Sequence, residues 1–267
     1  MPNQSIPEKL WETSVRPRSV TMTCSLPPVL FSLTPLWLQA EGWDRFPRLV
    51  HGFSGRLQKN PTGFSQKPEE NLFLCTVKQV HGNEIIRVDQ YCRSWEERPA
   101  ADGIITTDTG LLLGIASADC VPVLIVAPRQ GIVAALHAGW RGTLKGISTR
   151  AVDMLVSDWQ VEPATLWVAL GPAIGGCCYE VAVEIGESLV RQWQTSSPTA
   201  WRPRGEKGLL DLREINLAQF ERAGVPRAQV QLVGPCTFCD SSRFASYRRE
   251  GPGMSRQLSV IGWRAEP

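Results

Sequence analysis

The chain has 267 residues, with 28 basic and 26 acidic side chains and a formal net charge of +2. This length suffices for one large domain with a substantial core, and the scattered charges include no basic stripe typical of nucleic-acid binding. No apolar stretch approaches the roughly 20 residues of a membrane span, and the N-terminus lacks the apolar core of a signal peptide. Eight cysteines in such a chain indicate reduced thiols. We therefore expect a cytoplasmic protein with a small-molecule substrate, no nucleic-acid partner and no membrane contact.

Two polar segments interrupt the chain. Residues 1–28 are rich in Pro, Ser, Thr and Arg without a sustained apolar period, which predicts a poorly ordered extension. Residues 54–70 form a second polar stretch that contains Gly and Pro. Because no linker divides the remainder, we expect residues 29–267 to form a single domain.

The middle of the chain predicts a sheet. Short strands are expected on either side of the turn His81-Gly82-Asn83, at Thr76–Val80 and Glu84–Val88. Four apolar runs follow, at Ile104–Thr107, Leu111–Ala118, Val121–Ala127 and Ile132–Leu136. Their continuous apolar character predicts strands that are covered on both faces.

Helices are predicted only after Gly139. Apolar residues from Leu144 to Leu155 recur at helical spacing and predict about four turns of helix. The remaining predicted elements are a strand at Thr165–Leu170, helices at Val183–Trp193 and Asp211–Ala223, and strands at Val230–Val233 and Gln257–Ile261. Because several strands precede the first long helix, the order favours an α+β fold with mixed sheets in a single domain.

Three residues at strand ends are candidates for a metal site. His81 in KQVHGN and His137 in ALHAGWRG lie where an apolar strand meets a glycine turn, and Cys120 in SADCVP lies at a similar break. Two imidazoles and one thiolate would make a zinc site with an open position. The same residues taken singly also fit ordinary core positions, since their spacing matches no short zinc motif.

A set of motifs in a fixed order adds to this reading. They are QVHG (79–82), ADG (101–103), ADCVPVLI (118–125), HAGWRGT (137–143), GPAIGGCCYEV (171–181) and CTFC…SYRR (236–249). From about His51 to the C-terminus the chain resembles the YfiH/LACC1 family, also called the polyphenol oxidase or peptidoglycan editing factor family. The combination of HAGWRG with ADC-x-P is specific to this resemblance.

The resemblance implies a fold, a cofactor and an activity. The fold would be a layered α/β/β/α sandwich with mixed sheets, and a Zn²⁺ ion would be held by His81, Cys120 and His137, which would also be the catalytic residues. The family members are described as zinc-dependent purine nucleoside phosphorylases that act on adenosine, inosine, guanosine or methylthioadenosine and also deaminate adenosine. The chain departs from the family pattern in the shortened segment after HGFSGR (51–56), where Gly55 replaces the usual Thr.

Arginines are the candidates for binding phosphate. Arg56 is the first, because its planar fork of donors matches an oxyanion. Arg141, in the turn before a helix, and Arg248, in SYRR, are the others, although each also fits an exposed surface residue. We expect Asp119 to point away from the metal and to have a structural role, because adjacent side chains on a strand face opposite ways.

Several alternatives remain at this stage. Cys120 with His137 or His81 as base also fits a metal-free cysteine hydrolase, and a non-catalytic editing factor for cell-wall precursors would turn over no nucleoside. A multicopper oxidase is disfavoured because the chain has three histidines in all. The single C-x-x-C at Cys236 and Cys239, with Cys177-Cys178 elsewhere, is only a weak signal for a second zinc site. We expect a monomer with one zinc ion at His81, Cys120 and His137.

Overall fold

The computed structural model describes residues 37–56, 72–90 and 98–265. The predicted N-terminal extension at 1–28 and most of the polar segment at 54–70 lie outside these residues. Within the described ranges, no helix combines the length and the apolar character needed to cross a lipid bilayer.

The described residues contain thirteen strands and five α-helices. The strands are β1 (Leu49–Phe53), β2 (Phe73–Thr76), β3 (Ile85–Arg87), β4 (Gly103–Thr106), β5 (Leu111–Ser117), β6 (Val121–Ala127), β7 (Ile132–Ala138), β8 (Trp167–Leu170), β9 (Glu180–Ala182), β10 (Trp201–Arg204), β11 (Lys207–Leu210), β12 (Val230–Leu232) and β13 (Gln257–Trp263). The helices are α1 (Trp140–Leu144), α2 (Ile147–Trp159), α3 (Val183–Trp193), α4 (Leu212–Arg222) and α5 (Tyr247–Glu250).

Two mixed sheets form the centre of the molecule. The larger has six strands in the order β12-β8-β6-β7-β4-β3, and the smaller has four in the order β1-β13-β5-β2. A separate antiparallel sheet has the order β10-β11-β9. The predicted α+β class with mixed sheets in one domain is therefore confirmed.

The larger sheet is buried on both faces, as its continuous apolar sequences predict. In β6, Val123 and Ile125 contact the helices, whereas Leu124 and Val126 pack toward the four-stranded sheet. This alternation follows from the two-residue period of a strand. In the described residues the layers are therefore helix, six-stranded sheet and four-stranded sheet.

A buried polar network fixes α1 against its neighbours. Asn216 of α4 donates to Thr143 Oγ1 at 3.0 Å and accepts from Ser148 Oγ of α2 at 2.8 Å. Gln219 donates to the Thr143 carbonyl at 2.7 Å. All four residues are fully buried, so the network holds the segment just after His137 in one position.

Three local predictions differ from the structure. The strand expected at Thr76–Val80 is instead β2, which ends at Thr76. The N–H groups of Val80 and His81 donate to the Asp102 carboxylate and not to a neighbouring strand. The helix expected from Leu144 is divided into α1 and α2 at Gly146, whose φ of +75° suits glycine. Strands β1, β9, β10 and β11 were not predicted. Helix α3 has its predicted bounds, and Asp211 caps α4 by accepting from the Arg213 N–H at 2.9 Å.

Candidate metal centre

The structure brings His81, Cys120 and His137 together at one end of the six-stranded sheet. One ligand atom of each lies within 4.8 Å of the others, and the two imidazole centroids are 4.8 Å apart. His137 is in β7, opposite Pro122 of β6, and Cys120 directly precedes β6. The antiparallel pairing of β6 with β7 therefore places Cys120 next to His137, although the two are 17 positions apart.

Asp102 organises two of these three residues. Its Oδ1 lies 2.8 Å from His137 Nδ1 and accepts from the His81 N–H at 2.9 Å, while Oδ2 accepts from the N–H groups of Val80 at 3.2 Å and Gly82 at 2.6 Å. The carboxylate is fully buried. The chain bends around it with His81 at φ 59°. Asp102 therefore fixes both the turn that carries His81 and the orientation of the His137 ring.

The three side chains influence one another's ionisation. Burial opposes ionisation of Cys120, but the neighbouring His137 and His81 lower its pKa to about 6. Burial likewise opposes the protonation of His137, while Cys120 and Asp102 raise its pKa to about 9. The hydrogen bonds from His137 and from the backbone outweigh burial and hold the pKa of Asp102 below its usual range.

These residues fit a bound zinc ion. A thiolate and two imidazoles are the donors that zinc prefers, and three protein ligands leave one position open. With Nδ1 of His137 engaged by Asp102, Nε2 is the nitrogen available to a metal, an arrangement common in zinc sites. Gly139 borders the centre, because a Cβ there would lie 3.1 Å from Cys120 Sγ and 3.3 Å from His81 Cδ2.

Asp119 takes the structural position expected of it, but through a backbone bend. Its φ is 84°, and its buried carboxylate accepts from Thr237 Oγ1 at 2.7 Å, Ser246 Oγ at 3.0 Å and the Arg248 N–H at 2.7 Å. The residue thus ties the segment before Cys120 to the loop after β12 and to α5.

Arg56 differs from the other two candidate arginines because its guanidinium is already paired with a carboxylate. The guanidinium of Arg56 binds both carboxylate oxygens of Glu250, at 2.8 and 2.7 Å, and the Phe244 carbonyl at 3.0 Å. The hydrogen bonds from Arg56 lower the pKa of Glu250 to about 2. Gly55 lets the chain approach closely here, since a Cβ would lie 2.9 Å from the Arg243 carbonyl oxygen. An incoming anion would have to displace Glu250 from Arg56.

Arg141 and Arg248 lie near Tyr179, which also lies near Cys120. Burial, Cys120 and Asp119 raise the pKa of Tyr179 to about 12, whereas the charges of Arg248 and Arg141 lower it. The Arg248 guanidinium carbon is 5.2 Å from the centroid of the Tyr179 ring. In ranges 37–56, 72–90 and 98–265, neither arginine forms an ion pair with a carboxylate. Both are exposed, and within the described residues their guanidinium donors are available to an anion apart from Arg248 Nη1, which donates to the Glu180 carbonyl at 2.8 Å.

The third histidine, His51, is not part of the centre. It is buried in β1, where its Nε2 accepts from the Ala40 N–H at 3.1 Å and its ring packs 4.8 Å from that of Trp43.

Sequence reasoning assigned no role to Asp102, Gly139 or Tyr179. Each lies inside a quoted motif, ADG, HAGWRGT or GPAIGGCCYEV. An Asp followed by Gly at the start of an apolar strand was an available signal for Asp102. Its role depends on pairing with His137, 35 positions away.

Comparisons with known proteins agree with these motifs. A family model described as "Multi-copper polyphenol oxidoreductase laccase" matches residues 56–264. Purine nucleoside phosphorylase YlmD of Geobacillus stearothermophilus is 38% identical over 206 residues, covering 74% of each chain. Adenosine deaminase RL5, from an unknown prokaryotic organism, is 31% identical, covering 70% of this chain and 74% of that protein. The crystal structure of Geobacillus stearothermophilus YlmD superimposes with a TM-score of 0.75 at 30% identity, covering 90% of this chain and 100% of the other.

Proposed function

This chain belongs to the family described as multi-copper polyphenol oxidoreductase laccases, and we propose that it is a zinc-dependent purine nucleoside phosphorylase that also deaminates adenosine. The observation that carries the proposal is the cluster of His81, Cys120 and His137, with Asp102 behind His137 and two exposed arginines near Tyr179 that pair with no carboxylate of the described residues. The names of relatives in the family support the same pair of activities.

Zinc supports this chemistry better than copper. One thiolate and two imidazoles suit a single zinc ion with an open position. A multicopper oxidase needs a larger set of histidine ligands, and this chain has three histidines, of which His51 is occupied in the core. A zinc ion held here would supply Lewis acidity at its open position.

The chain's own residues position the ligands and the substrate. The Asp102 carboxylate keeps a proton on His137 Nδ1 and so leaves Nε2 as the nitrogen that can bind a metal ion. We assign the phosphate dianion to Arg141 and Arg248, ahead of Arg56, because Glu250 already occupies Arg56. Charge-assisted contacts from a guanidinium fork suit phosphate oxygens.

The reaction itself is a displacement at the ribose. A phosphate oxygen forms a bond to C1′ as the bond from C1′ to the purine breaks, and the electron pair leaves with the base, which takes up a proton. The products are ribose 1-phosphate and the free base. In deamination, water replaces the amino group at C6 of adenosine, and ammonia leaves. Only the first reaction requires bound phosphate.

Exposed apolar surface next to the centre suits a purine ring. Val80 precedes His81 and is 51% exposed, and Tyr247 precedes Arg248 and is 54% exposed. Ligand sites are lined predominantly by apolar and aromatic side chains. We assign contact with the base to these two residues.

Metal analysis combined with product analysis tests the function. Zinc-loaded protein is incubated with nucleoside and phosphate, and ribose 1-phosphate, free base and ammonia are measured. We expect turnover in the wild type and in Cys75→Ala, a buried thiol in β2 away from the centre. Cys120→Ala should lose one zinc equivalent and both activities together, because two ligands bind zinc poorly.

Two outcomes would contradict the proposal. Zinc-loaded wild-type protein that turns over no nucleoside would favour a binding or editing role. Activity that survives complete zinc removal but is abolished by alkylation of Cys120 would favour a cysteine hydrolase, in which the thiolate attacks the substrate with a neighbouring histidine as base.

A further inference from the structure

Four thiols meet at a second place in the fold. Cys177 and Cys178 lie in the turn after β8, and Cys236 and Cys239 lie in the C-x-x-C after β12. Their Sγ atoms all lie within 4.8 Å of one another. Strands β8 and β12 are parallel neighbours in the six-stranded sheet, so the loops that follow them begin at the same end of the sheet. This topology unites two cysteine pairs that are about sixty positions apart.

The spacing of the sulfurs fits one tetrahedral ion. Sulfurs bound about 2.3 Å from a tetrahedral zinc lie about 3.8 Å apart. The observed separations include 3.6 Å for Cys177–Cys239 and 3.3 Å for Cys178–Cys239. A disulfide would need about 2.05 Å, and all four cysteines are free. An iron–sulfur cluster is a poorer fit, since its thiolates bind different irons around a wider core.

Backbone donors support thiolate at this position. The Gly175 N–H donates to Cys236 Sγ at 3.2 Å. The Cys239 and Phe238 N–H groups also form hydrogen bonds with Cys236 Sγ. Hydrogen bonds from backbone amides to ligand atoms are typical of structural metal sites.

We propose that Cys177, Cys178, Cys236 and Cys239 form a second metal site that binds one zinc ion through four thiolates. On binding, each thiol that is still protonated releases its proton to solvent, and no electron transfer is involved. Four protein ligands leave no open position, so the role of this site is structural. The inference does not depend on the proposed enzymatic activity.

The second site also braces the first. Thr237, inside the C-x-x-C, donates from Oγ1 to Asp119 at 2.7 Å, and Asp119 directly precedes Cys120. The Arg249 guanidinium donates to the Thr237 and Phe238 carbonyls at 2.8 and 2.6 Å. An ion at the four thiols would therefore hold the loop that positions Asp119, and with it the backbone directly before Cys120.

Metal analysis of the full chain, purified under reducing conditions and equilibrated with zinc alone, tests this site. We expect two zinc equivalents in the wild type and in the Cys75→Ala control, and one in Cys177→Ser and in Cys239→Ser. Cys120→Ala should also retain one, and its X-ray absorption spectrum should show sulfur ligands only, at about 2.3 Å. The ion in Cys239→Ser should instead show mixed nitrogen and sulfur ligands.

Several results would overturn the second site. These are a single zinc in the wild type with unchanged content in Cys177→Ser and Cys239→Ser, iron in place of zinc, or a disulfide among the four cysteines. If Cys239→Ser fails to fold, the spectrum of Cys120→Ala decides by itself. Two zinc ions without nucleoside turnover would overturn the proposed function and leave this site intact.

Discussion

Replacing Asp102 with Asn tests how the first metal centre is built. The Asp102 carboxylate receives four N–H groups: Oδ1 receives His137 Nδ1–H and the His81 N–H, and Oδ2 receives the N–H groups of Val80 and Gly82. Asn keeps one acceptor oxygen and replaces the other with an NH₂ donor. Whichever way the amide turns, its NH₂ therefore faces two N–H donors, and two hydrogen bonds are lost.

The size of the effect follows from burial and charge. Hydrogen bonds to a charged group contribute about 1.5–3 kcal/mol each, and unsatisfied buried donors add to the loss. We therefore expect Asp102→Asn to lower the free energy of unfolding by about 3 kcal/mol or more. Because the carboxylate also fixes the His137 tautomer, zinc affinity should fall about tenfold to hundredfold.

Two measurements separate these effects. Urea unfolding of chelator-treated protein reports stability without the metal, and chelator competition reports the affinity of the zinc equivalent that Cys120→Ala lacks. Asp108→Asn is the matched control, because Asp108 is only partly buried and accepts one backbone N–H, from Gln90 at 2.9 Å. We expect this control to change stability by about 1 kcal/mol or less and zinc affinity not at all.

Equal stability of metal-free Asp102→Asn and the Asp108→Asn control would contradict this role of the Asp102 carboxylate. If stability falls but zinc affinity stays within about twofold of the wild type, Asp102 only holds the turn and does not tune His137 as a ligand.

Three further predictions concern single side chains. Arg248→Ala should raise the KM for phosphate about tenfold to hundredfold while sparing deamination. Arg56→Ala, which loses the pair with Glu250, should mainly lower the free energy of unfolding. The reverse ranking of the two variants would assign the phosphate to Arg56. Burial lowers the pKa of His51 from 6.5 to about 4 despite its hydrogen bond from the Ala40 N–H. The contribution of neutral His51 to the free energy of unfolding is therefore complete above pH 6.5, and about 3 kcal/mol of it is lost as the pH falls toward 4. Urea unfolding at pH 7 and pH 4 should show this extra slope in the wild type and not in His51→Gln, and equal slopes would contradict it. Gly139→Ala, whose Cβ would meet Cys120 Sγ at 3.1 Å, should weaken zinc binding and turnover with little change in melting temperature. A zinc affinity equal to that of the wild type would show that the thiol moves aside freely.

Local sequence patterns determined most of the regular elements. Continuous apolar runs predicted β5, β6 and β7 because a sheet covered on both faces selects apolar residues at every position. Helix α3 and the Asp211 cap of α4 were predicted because helical period and capping are properties of neighbouring residues. Strand β10 was missed because the mostly exposed residues of Trp201–Arg204 lack an apolar period.

The candidate ligands could be chosen from the sequence, since histidine and cysteine at strand ends are few and the motifs around them resemble one family. What the sequence left open was which distant residues meet. Asp102 contacts His137 because β4 pairs with β7, and Glu250 pairs with Arg56 although 194 positions separate the two residues. The four thiols that made a weak sequence signal become one cluster because β8 and β12 are parallel neighbours. Sequence period reports the environment of each residue along its own element, whereas contacts across the sheet depend on strand order and register, which only the tertiary structure determines.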